Sequence, residues 1–505
     1  MRGKALQLFN SMGREQQTFA PVETDRVRIY SCGPTVYHYA HLGNLRAYVF
    51  TDTLRRVLMW KGYETTQVMN ITDVGHLTSD ADEGEDKMEK AASREHMSVW
   101  DIAAHYTQAF QDDLAHLNVL PPQEQPKATD HIPQMIAFTR RLEEQGHCYM
   151  LDDGLYFDTS TVPDYGRLGQ LDLEGLQEGA RVAATQGKRN PTDFVVWRRS
   201  PAGAKRLMEW DSPWGVGAPG WHLECSVMSI QYLGNPFDIH TGGVDHRQVH
   251  HCNEVAQNMG YLEGGHSGVN YWLHNEFLVQ GEEKMAKSKG DFLRLQSVID
   301  HGIHPLSYRY FCLQAQYRKP LEFSWEALKG AQNGLKRLLV RIGNLKDQCD
   351  AGHVNALARY QVPSDGASRI DTDWTRLPQP AGQRNWCQAL DDAVRDDLNT
   401  PKAMAALNEM LADDALAPET ALELIAAYDQ VLGLRLLEMA PEDLLIRAKE
   451  AALSDEAVNA LVAERLQARK DRDFARADQI RDELVDKGVQ IKDGPDGTTW
   501  EWKVS

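Results

Sequence analysis

The sequence has 505 residues, of which 42% are hydrophobic and 25% are charged. This composition is typical of a globular protein and excludes collagen-like and Pro/Gly-rich disordered chains, and the length predicts about three domains. The formal net charge of −19 argues against nucleic-acid binding over the whole surface, because an acidic protein repels a polyanion, but it allows binding through a local basic patch.

The number and spacing of the cysteines and the lengths of the apolar segments indicate the cellular compartment of the protein. The seven cysteines are odd in number and widely scattered, which argues against a disulfide framework and for a reducing environment. No apolar run approaches the ~18 residues of a membrane span, and the first residues lack the apolar core of a signal peptide. We therefore expect a cytoplasmic protein with no membrane partner.

The predicted elements of the first half alternate between strand and helix. Alternating apolar and polar residues predict a strand over 27–32, and helical spacing predicts a helix from Gly43 to Gly62. A second strand is predicted over 65–71. A strand–helix–strand unit is the building block of a doubly wound parallel sheet, so the predicted fold class is α/β.

The pattern changes twice further along the chain. Helices are predicted over 95–118 and 131–146, and short Gly- and Pro-rich strand-like pieces predict an insertion that ends near residue 215. Helix–strand alternation then resumes, and nearly everything from residue 296 is predicted to be helical, apart from a loop over 362–384. The chain is predicted to end with a charged helix over 457–487 and turns over 493–497.

Two short motifs carry the candidate chemistry. His41-Leu42-Gly43-Asn44 lies where the first strand passes into the first helix, and the N–H groups at a helix start suit a phosphate. Three lysines within residues 284–289 predict a mobile basic loop that could clamp a phosphate chain. Taken alone, an ordinary helix cap and a solvated loop are the simpler interpretations.

Together and in this order, the two motifs resemble the signatures of class I aminoacyl-tRNA synthetases. Further motifs make the chain similar to the cysteinyl-tRNA synthetase family: Cys32-Gly33-Pro34-Thr35-Val36-Tyr37, Gly220-Trp221-His222-Leu223-Glu224-Cys225-Ser226, Gly242-Gly243-Val244-Asp245 and His250-His251-Cys252-Asn253-Glu254. The resemblance implies a monomeric ligase that uses ATP, with Mg²⁺, to convert L-cysteine to cysteinyl-adenylate. The cysteinyl group then passes to the 3′ end of tRNA(Cys).

The resemblance also assigns roles to residues. It implies catalysis by His41, Asn44, Lys284 and Lys287, and ATP binding by these four together with Gly43 and Asp245. Thr72 and Trp221 match positions that line the amino-acid pocket, although a strand-end polar residue and a core aromatic residue are the alternatives. Ala286 stands where the family pattern has Ser. Residues 74–90 depart from the commoner pattern, so no role is predicted for them.

A metal site is implied by the same resemblance. Thiolate, imidazole and carboxylate are all zinc ligands, and two ligands four residues apart share one face of a helix, but buried core cysteines would give the same pattern. The resemblance implies one zinc per chain, bound by Cys32, Cys225, His250 and Glu254. Cys252 stands where the family usually has Glu, and we expect it to point away from the ligands.

The predicted zinc explains how cysteine is distinguished from serine. Apolar pockets reject near-isosteres only ~10–200-fold, whereas a thiolate binds zinc far better than a hydroxyl does. No added editing domain is therefore expected. His222, His240 and His251 are candidates for orienting the ligands, with structural histidines as the alternative.

The C-terminal segment contains a basic cluster: Arg465, Arg469, Lys470, Arg472, Arg476 and Arg481. With Phe474 available for stacking, this cluster suits unpaired bases, although a solvated salt-bridged helix is the alternative. Phe474 stands where many relatives carry Trp. The resemblance implies an anticodon reader with the residues Arg469, Asp478, Arg481, Asp493 and Trp500.

Four domains are predicted on this basis. They are a Rossmann-like catalytic domain at 1–300 with an insertion at about 120–215, connecting stem-contact helices at 301–345, a helical bundle at 346–445 and a C-terminal anticodon-binding domain at 446–505. Two alternatives remain open. One is a ligase that joins cysteine to a small amine, and the other is a zinc-containing RNA-binding paralogue without catalysis.

Overall fold

The structure is a computed structural model that describes residues 4–75, 86–172, 187–201, 203, 206–262, 264–281, 283–284, 293–362, 368–370, 384–446, 454–486, 489–494 and 497–502. The strands are β1 Gln7–Asn10, β2 Glu15–Thr18, β3 Arg26–Ser31, β4 Glu64–Met69, β5 Cys148–Leu151, β6 Gly154–Phe157, β7 Phe194–Arg199, β8 Gly217–Pro219, β9 Phe237–Gly243, β10 Val269–Asn275, β11 Leu278–Gln280, β12 Glu283–Lys284, β13 Leu321–Glu322, β14 Val489–Gly494 and β15 Gly497–Trp502.

The α-helices are α1 Leu42–Trp60, α2 Lys87–Glu95, α3 Val99–His116, α4 Ile132–Glu144, α5 Trp221–Leu233, α6 Val244–Gln248, α7 His250–Tyr261, α8 Leu295–Asp300, α9 Pro305–Leu313, α10 Trp325–Lys346, α11 Ala351–Ala356, α12 Trp386–Val394, α13 Thr400–Leu411, α14 Pro418–Leu432, α15 Asp455–Lys470 and α16 Phe474–Asp486. Short 3₁₀ helices lie at Ala128–His131, Thr159–Thr161, Leu357–Tyr360 and Pro441–Leu444. None of the described helices is both long and apolar enough to cross a bilayer.

A four-stranded parallel sheet organises the first half of the chain. Its strand order is β10-β9-β3-β4, and Ile29 of β3 lies opposite Gln67 of β4 on one side and Ile239 of β9 on the other. α1 connects β3 to β4, which confirms the predicted strand–helix–strand unit and the doubly wound α/β class. Ligands bind such sheets outside the carboxyl ends of the strands, and here those ends are followed by Cys32, Asn70, Val244 and Glu276.

The chain between β4 and β9 contains a second sheet. The strands β5-β6-β7-β8 pair antiparallel in sequence order, after the helices α2, α3 and α4. Short strands therefore occur where the sequence predicts an insertion. The predicted domain limits themselves stay predictions.

The helices α8 to α14 pack against the parallel-sheet region and share its hydrophobic cluster. One hydrophobic cluster includes Leu54 of α1, Leu335 of α10 and Leu422 of α14, and all three side chains are fully buried. The predicted helical character beyond residue 296 is confirmed for the described residues. The predicted loop over 362–384 falls mostly on residues outside the described part.

The C-terminal segment forms two helices, so the prediction of one helix over 457–487 is wrong. α15 ends at Lys470, Arg472 takes a left-handed backbone conformation with φ of 62°, and the Asp473 side chain accepts from the backbone N–H of Arg476 to begin α16. The two helices pack with the β14–β15 hairpin around Val458, Ile480 and other apolar residues of a small separate core.

Candidate active site and metal centre

The motif His41-Leu42-Gly43-Asn44 forms the start of α1. His41 is the N-cap: its Nδ1 accepts from the Asn44 backbone N–H at 3.0 Å, and Asn44 Oδ1 accepts from the His41 backbone N–H at 3.3 Å. A neutral imidazole that accepts at Nδ1 carries its proton on Nε2. The capping box therefore fixes a tautomer in which His41 can donate Nε2–H to a phosphate oxygen.

A pocket opens beside this helix start, at the carboxyl edge of the sheet. Its walls include His41, Gly43, Asn44, Gly242, Gly243, Asp245 and the end of β10, and also Cys32. A Cβ atom on Gly43 would lie 3.0 Å from the His41 ring, so a side chain there would press on the capping histidine. The structure thus brings the predicted ATP-binding residues of the first motif together with Asp245.

Cys32, Cys225, His250 and Glu254 converge at the same edge. Cys32 follows β3, Cys225 lies on α5, and His250 and Glu254 lie one turn apart on α7. One ligand atom from each residue lies within 4.8 Å of the others. Cys32 and Cys225 are far apart in the sequence but meet here. Cys32 follows β3, which lies next to β9, and Cys225 lies on α5, which leads into β9.

The distances within this four-residue cluster fit a tetrahedral metal ion. Cys32 Sγ lies 3.9 Å from Cys225 Sγ and 4.0 Å from Glu254 Oε1, and His250 Nε2 lies 3.1 Å from Glu254 Oε1. With Zn–S near 2.3 Å and Zn–N or Zn–O near 2.0–2.2 Å, the edges of a zinc tetrahedron are roughly 3.3–3.8 Å. The donor set and its spacing therefore suit zinc with small adjustments of the side chains.

Further histidines surround the cluster. His222 Nδ1 lies 2.9 Å from His250 Nδ1, His240 Nε2 lies 2.9 Å from Glu254 Oε2, and His251 Nε2 lies 3.3 Å from Cys32 Sγ. A second set of donors, Cys32, His240, His251 and Glu254, also lies close enough to hold an ion. The three histidines named from the sequence thus contact the ligands directly.

His274 extends this network and was missed by sequence reasoning. Its Nε2 lies 2.8 Å from His251 Nδ1, and its Nδ1 lies 2.8 Å from Ser11 Oγ. His274 stands near the carboxyl end of β10, a position that could have marked it as a candidate. The chain Ser11–His274–His251 holds the His251 ring in place.

Burial and close contact shift the pKa values of the cluster. Hydrogen bonding to Cys32 lowers the pKa of Cys225 to about 7, while burial and then the neighbouring Cys225 raise the pKa of Cys32. Although burial opposes ionisation, His240 and His250 lower the pKa of Glu254 to about 2. Although burial opposes protonation, Cys225 and Glu254 raise the pKa of His250 to about 10, so a cation, either this imidazolium or a bound metal ion, balances the buried thiolate and carboxylate.

Cys252 points away from the cluster, as the sequence predicts. Its Sγ lies 3.2 Å from the Arg247 carbonyl oxygen, and it faces Gly169, where a Cβ atom would lie 3.1 Å from the sulfur. Burial raises the pKa of Cys252 to about 11, so this thiol stays protonated. Cys252 is therefore a core residue and does not compete for the metal.

The predicted amino-acid pocket lies beside the metal cluster. Thr72 Oγ1 donates to Glu224 Oε2 at 2.8 Å and accepts from Asn70 Nδ2 at 3.0 Å, and Asn70 Oδ1 accepts from the Gly33 backbone N–H. A Cβ atom on Gly33 would lie 1.6 Å from the Asn70 carbonyl oxygen, so only glycine fits there. Sequence reasoning missed Asn70, which lies two residues before Thr72, and Glu224, which lies inside the motif at 220–226.

Trp221 lies beside the metal ligands. Its ring centroid is 4.6 Å from that of His250, and the side chain is half-buried at the start of α5. The structure therefore brings Trp221 to the cluster, as expected of a residue that lines an amino-acid pocket.

The lysine loop is described only in part. Lys284 belongs to β12, where its backbone pairs with Val279 of β11. Its side chain, like Lys287 and Ala286, lies outside the described residues. The predicted clamp on phosphate therefore stays a prediction.

The five predicted anticodon residues occupy the C-terminal helices and hairpin. Asp478 and Arg481 pair on α16 at 3.1 Å, Trp500 Nε1 donates to Asn459 Oδ1 at 2.8 Å, Arg469 lies in the last turn of α15, and Asp493 lies in β14. The ring of Phe474 is 62% exposed, which suits stacking. All five residues belong to this one small unit.

The basic cluster is less exposed than the sequence suggests. Arg465 is only 6% exposed, so it does not contribute to a basic surface. Arg476 pairs with Glu464, and Arg481 pairs with both Asp478 and Asp482. The six charges are thus partly neutralised within the helices, in line with the alternative of a salt-bridged helix, and of these pairs only that of Arg476 with Glu464 joins the two helices.

Comparisons with known proteins agree with this geometry. The chain matches the family described as tRNA synthetases class I (C) catalytic domain over residues 18–333, and the cysteinyl-tRNA ligase anticodon binding domain over residues 447–500. It is similar to the cysteine–tRNA ligases of Novosphingobium aromaticivorans, at 50% identity over 99% of this chain and 97% of that protein, and of Zymomonas mobilis, at 49% over 98% and 97%.

A solved structure supports the fold alone. The ternary complex of an Agrobacterium radiobacter LeuRS with tRNA and LeuAMS aligns with a TM-score of 0.54 and 11% identity, over 94% of this chain and 95% of that chain. The structural match indicates a shared class I architecture, and at such low identity it says nothing about a shared substrate.

Proposed function

Because the chain belongs to the cysteine–tRNA ligase family, we propose that it activates L-cysteine with ATP and transfers the cysteinyl group to the 3′ end of tRNA(Cys). The observation that carries the proposal is the position of the metal cluster. Cys32 belongs both to the four-residue cluster and to the wall of the pocket beside the first motif. A thiolate on the metal would therefore be held next to a bound nucleotide.

Zinc is the metal that this site suits. Cys32, Cys225, His250 and Glu254 would hold it, and when bound it would select the substrate thiolate over a hydroxyl. His222, His240 and the His251–His274 pair orient the ligands through the contacts given above. Cys225, His250 and Glu254 are buried, whereas Cys32 is half-buried and lines the pocket, which leaves the cluster open to a substrate on that side.

The first motif would bind the nucleotide. His41 Nε2–H and the start of α1 would stabilise the negative charge that develops on the α-phosphate when the cysteine carboxylate attacks it. Asp245 lines the same pocket, where it suits the ribose. Lys284 and Lys287 would neutralise the departing pyrophosphate, with Mg²⁺ bound to ATP, and no covalent enzyme intermediate is required.

The C-terminal unit would read the anticodon. Its exposed Phe474 and the residues Arg469, Asp478, Arg481, Asp493 and Trp500 provide stacking and charged groups for unpaired bases. A small-molecule acceptor would need no such unit, which favours tRNA over the alternative of ligation to a small amine.

Two assays on the purified protein test the proposal. We expect cysteine-dependent exchange of pyrophosphate into ATP, with serine as the negative control, and charging of tRNA(Cys) with cysteine. Exchange without charging, accompanied by ligation of cysteine to a small amine, would favour the alternative ligase. Zinc binding with neither exchange nor charging would favour the non-catalytic RNA-binding paralogue.

A further inference from the structure

One wall of the pocket beside the first motif is supported by a later segment of the chain. Residues 275–278, at the end of β10 and the start of β11, form this wall. The Glu276 backbone N–H donates to the Tyr317 carbonyl oxygen at 2.9 Å, and the Leu321 backbone N–H donates to the Phe277 carbonyl oxygen at 3.0 Å. The segment that contains Tyr317 and Leu321 therefore holds the wall through its backbone.

Arg46 joins the wall and this segment to the first helix. It is buried on α1, two residues after Asn44. Its guanidinium donates to the carbonyl oxygens of Glu276, at 2.8 Å, and of Phe277, and also to that of Lys319, at 2.6 Å. The pocket wall, the start of α1 and the segment around Lys319 are therefore connected by hydrogen bonds.

The carboxylate of Asp397 anchors the same segment. Its Oδ1 accepts from the Tyr317 hydroxyl at 2.7 Å, and its Oδ2 accepts from Arg318 Nε at 2.7 Å and from Gln316 Nε2 at 3.1 Å. Oδ1 also accepts from the Phe9 backbone N–H of β1 at 2.8 Å. Asp397 is only 3% exposed, so four donors surround a buried charge, and hydrogen bonds to a charged group are the stronger kind.

The turn that carries this carboxylate is itself fixed. Asp397 has φ of 53° and Leu398 has φ of 56°, just before Asn399 caps α13. Aspartate tolerates a left-handed backbone, but leucine does so only where its surroundings hold it there. The Leu398 side chain is buried, and the Tyr317 ring stacks on Phe50 of α1 with centroids 4.4 Å apart. Packing therefore holds both the carboxylate and the ring that donates to it.

The anchored segment also leads to the lysine loop. β13 pairs with β11, where Leu321 lies opposite Leu278, and β11 pairs with β12, where Val279 lies opposite Lys284. The backbone of Lys284 is therefore two strand pairings away from the segment that Asp397 anchors. The candidate metal ligands lie on α5, on α7 and after β3, which the contacts above do not involve.

We infer that Asp397 is a positioning residue for ATP, an inference that rests on the proposed function. It acts through Tyr317 and Arg318, which hold the wall formed by residues 275–278 and the strands that lead to Lys284. The helical second half, to which Asp397 belongs, thereby shapes the nucleotide site. Because the metal ligands lie on other elements, loss of the carboxylate should weaken ATP binding and leave cysteine binding intact.

Asp397→Asn tests the inference, because asparagine also tolerates the left-handed backbone while its amide nitrogen cannot accept from the surrounding donors. In the full-length, zinc-loaded protein, we expect the Kd for ATP to rise roughly fivefold, measured by calorimetry. The KM for ATP in pyrophosphate exchange should rise in parallel. Zinc content and the KM for cysteine should stay at the wild-type values.

Two further variants sharpen the comparison. Tyr317→Phe loses one donor to Asp397 but keeps the ring that stacks on Phe50, so it should raise the Kd for ATP in the same direction and by less. Asp396→Asn is the matched control. It changes the neighbouring, more exposed carboxylate, which accepts from Lys402, and it should bind ATP as the wild type does.

The outcomes separate positioning from simple stabilisation of the fold. A wild-type Kd for ATP in Asp397→Asn, with activity reduced only in proportion to the folded fraction, would overturn the inference, as would equal losses of ATP and cysteine affinity. If Asp397→Asn does not fold, an unchanged Kd for ATP in Tyr317→Phe overturns it instead. A wild type that binds ATP but performs no cysteine-dependent exchange overturns the proposed function, and the Kd values for ATP still decide the role of Asp397.

Discussion

At the scale of single residues, the metal cluster is a set of groups that stabilise one another only as a whole. Cys225, His250 and Glu254 are buried, and each has its pKa displaced by the others. Removing one ligand leaves the remaining charges without a complete set of partners. The cluster should therefore fail as a unit when any member is lost.

We predict that Cys225→Ser lowers zinc content and cysteine activation together, by roughly 10–100-fold or more in metal affinity, because a hydroxyl is a poor zinc ligand. Metal analysis after dialysis and pyrophosphate exchange measure the two effects. Cys252→Ser is the control and should keep the metal, since its sulfur faces Arg247 and Gly169. Full zinc retention in Cys32→Ser, Cys225→Ser and His250→Ala alike would refute the site.

At the scale of elements, the end of the lysine loop is joined to the start of α1. The Leu42 backbone N–H donates to the Leu293 carbonyl oxygen at 2.9 Å, and the Arg294 guanidinium lies 4.2 Å from the ring centroid of Tyr39. The Tyr39 hydroxyl contacts His105 Nε2 of α3 at 3.2 Å. The residues that follow the lysine motif, Leu293 and Arg294, are therefore joined to the start of α1 and to the segment just before it.

Arg294→Ala should slow pyrophosphate exchange roughly two- to fivefold, because an exposed cation–π contact is worth about 0.5–1 kcal/mol and its loss frees one end of the loop. The effect should appear in kcat and in the KM for ATP, with the KM for cysteine unchanged. Arg359→Ala removes a similar stack on Tyr360, far along the chain in the helical region, and should leave exchange unchanged. An effect of Arg294→Ala confined to cysteine binding would contradict the anchoring role.

At the scale of the whole molecule, one buried carboxylate connects three parts of the chain. Asp52 of α1 accepts from Arg56 at 2.7 Å and from Arg309 of α9 at 2.6 Å, and its other oxygen accepts from the Leu120 backbone N–H at 2.9 Å. Arg309 also donates to the Leu432 carbonyl oxygen at the end of α14. The network ties the parallel-sheet region to the helical second half.

We predict that Asp52→Asn destabilises the protein by about 3–5 kcal/mol at neutral pH, because it removes the carboxylate to which two buried guanidinium groups donate. Although burial opposes ionisation, Arg56 and Arg309 lower the pKa of Asp52. Its contribution to the free energy of unfolding is therefore present above the unfolded pKa of about 3.9 and is lost as the pH falls through the lower folded value.

Unfolding followed as a function of pH checks this prediction. The difference between the wild type and Asp52→Asn should be largest near neutral pH and should shrink below about pH 4. Glu409→Gln, which breaks an exposed pair with Arg384, is the control and should change stability by no more than about 1 kcal/mol. A constant difference across the acid range would contradict the assigned network.

The C-terminal unit has its own core, so its removal should separate two activities. A variant ending after Leu445 keeps the metal cluster, the first motif and the shared core that includes Leu54, Leu335 and Leu422. We predict that it still exchanges pyrophosphate with cysteine but charges tRNA(Cys) poorly. Equal charging by the truncated and intact proteins would mean that the segment does not read the anticodon.

Intact protein should also lose affinity for tRNA as salt rises, despite its net charge of −19. The reason is that local basic side chains release counterions from the phosphates. Arg476 and Arg481 already pair with acidic residues of the same unit. We therefore expect the tRNA affinity to fall less steeply with salt than it would if all six basic side chains were free. Filter binding over a range of salt concentrations measures the slope.

Local patterns in the sequence were enough for much of the fold. The alternation before Cys32 and the helical spacing after Gly43 are properties of neighbouring residues, so they predicted β3 and α1 directly. The spacing of His250 and Glu254 likewise placed both on one face of a helix. The order of the motifs carried the family resemblance, and the resemblance implied the set of four zinc ligands.

Tertiary structure alone decided which distant groups meet, because the order of strands in a sheet is not written in any local pattern. β9 lies between β3 and β10, and this order brings Cys32 to Cys225 and His274 to His251. Long-range packing also decides three further features: the burial of Arg465, the interruption of the helix at Arg472 and the approach of Lys87 to Trp221. The sequence by itself determined the elements and the chemical groups, whereas the packing of the elements determined which of those groups form a site.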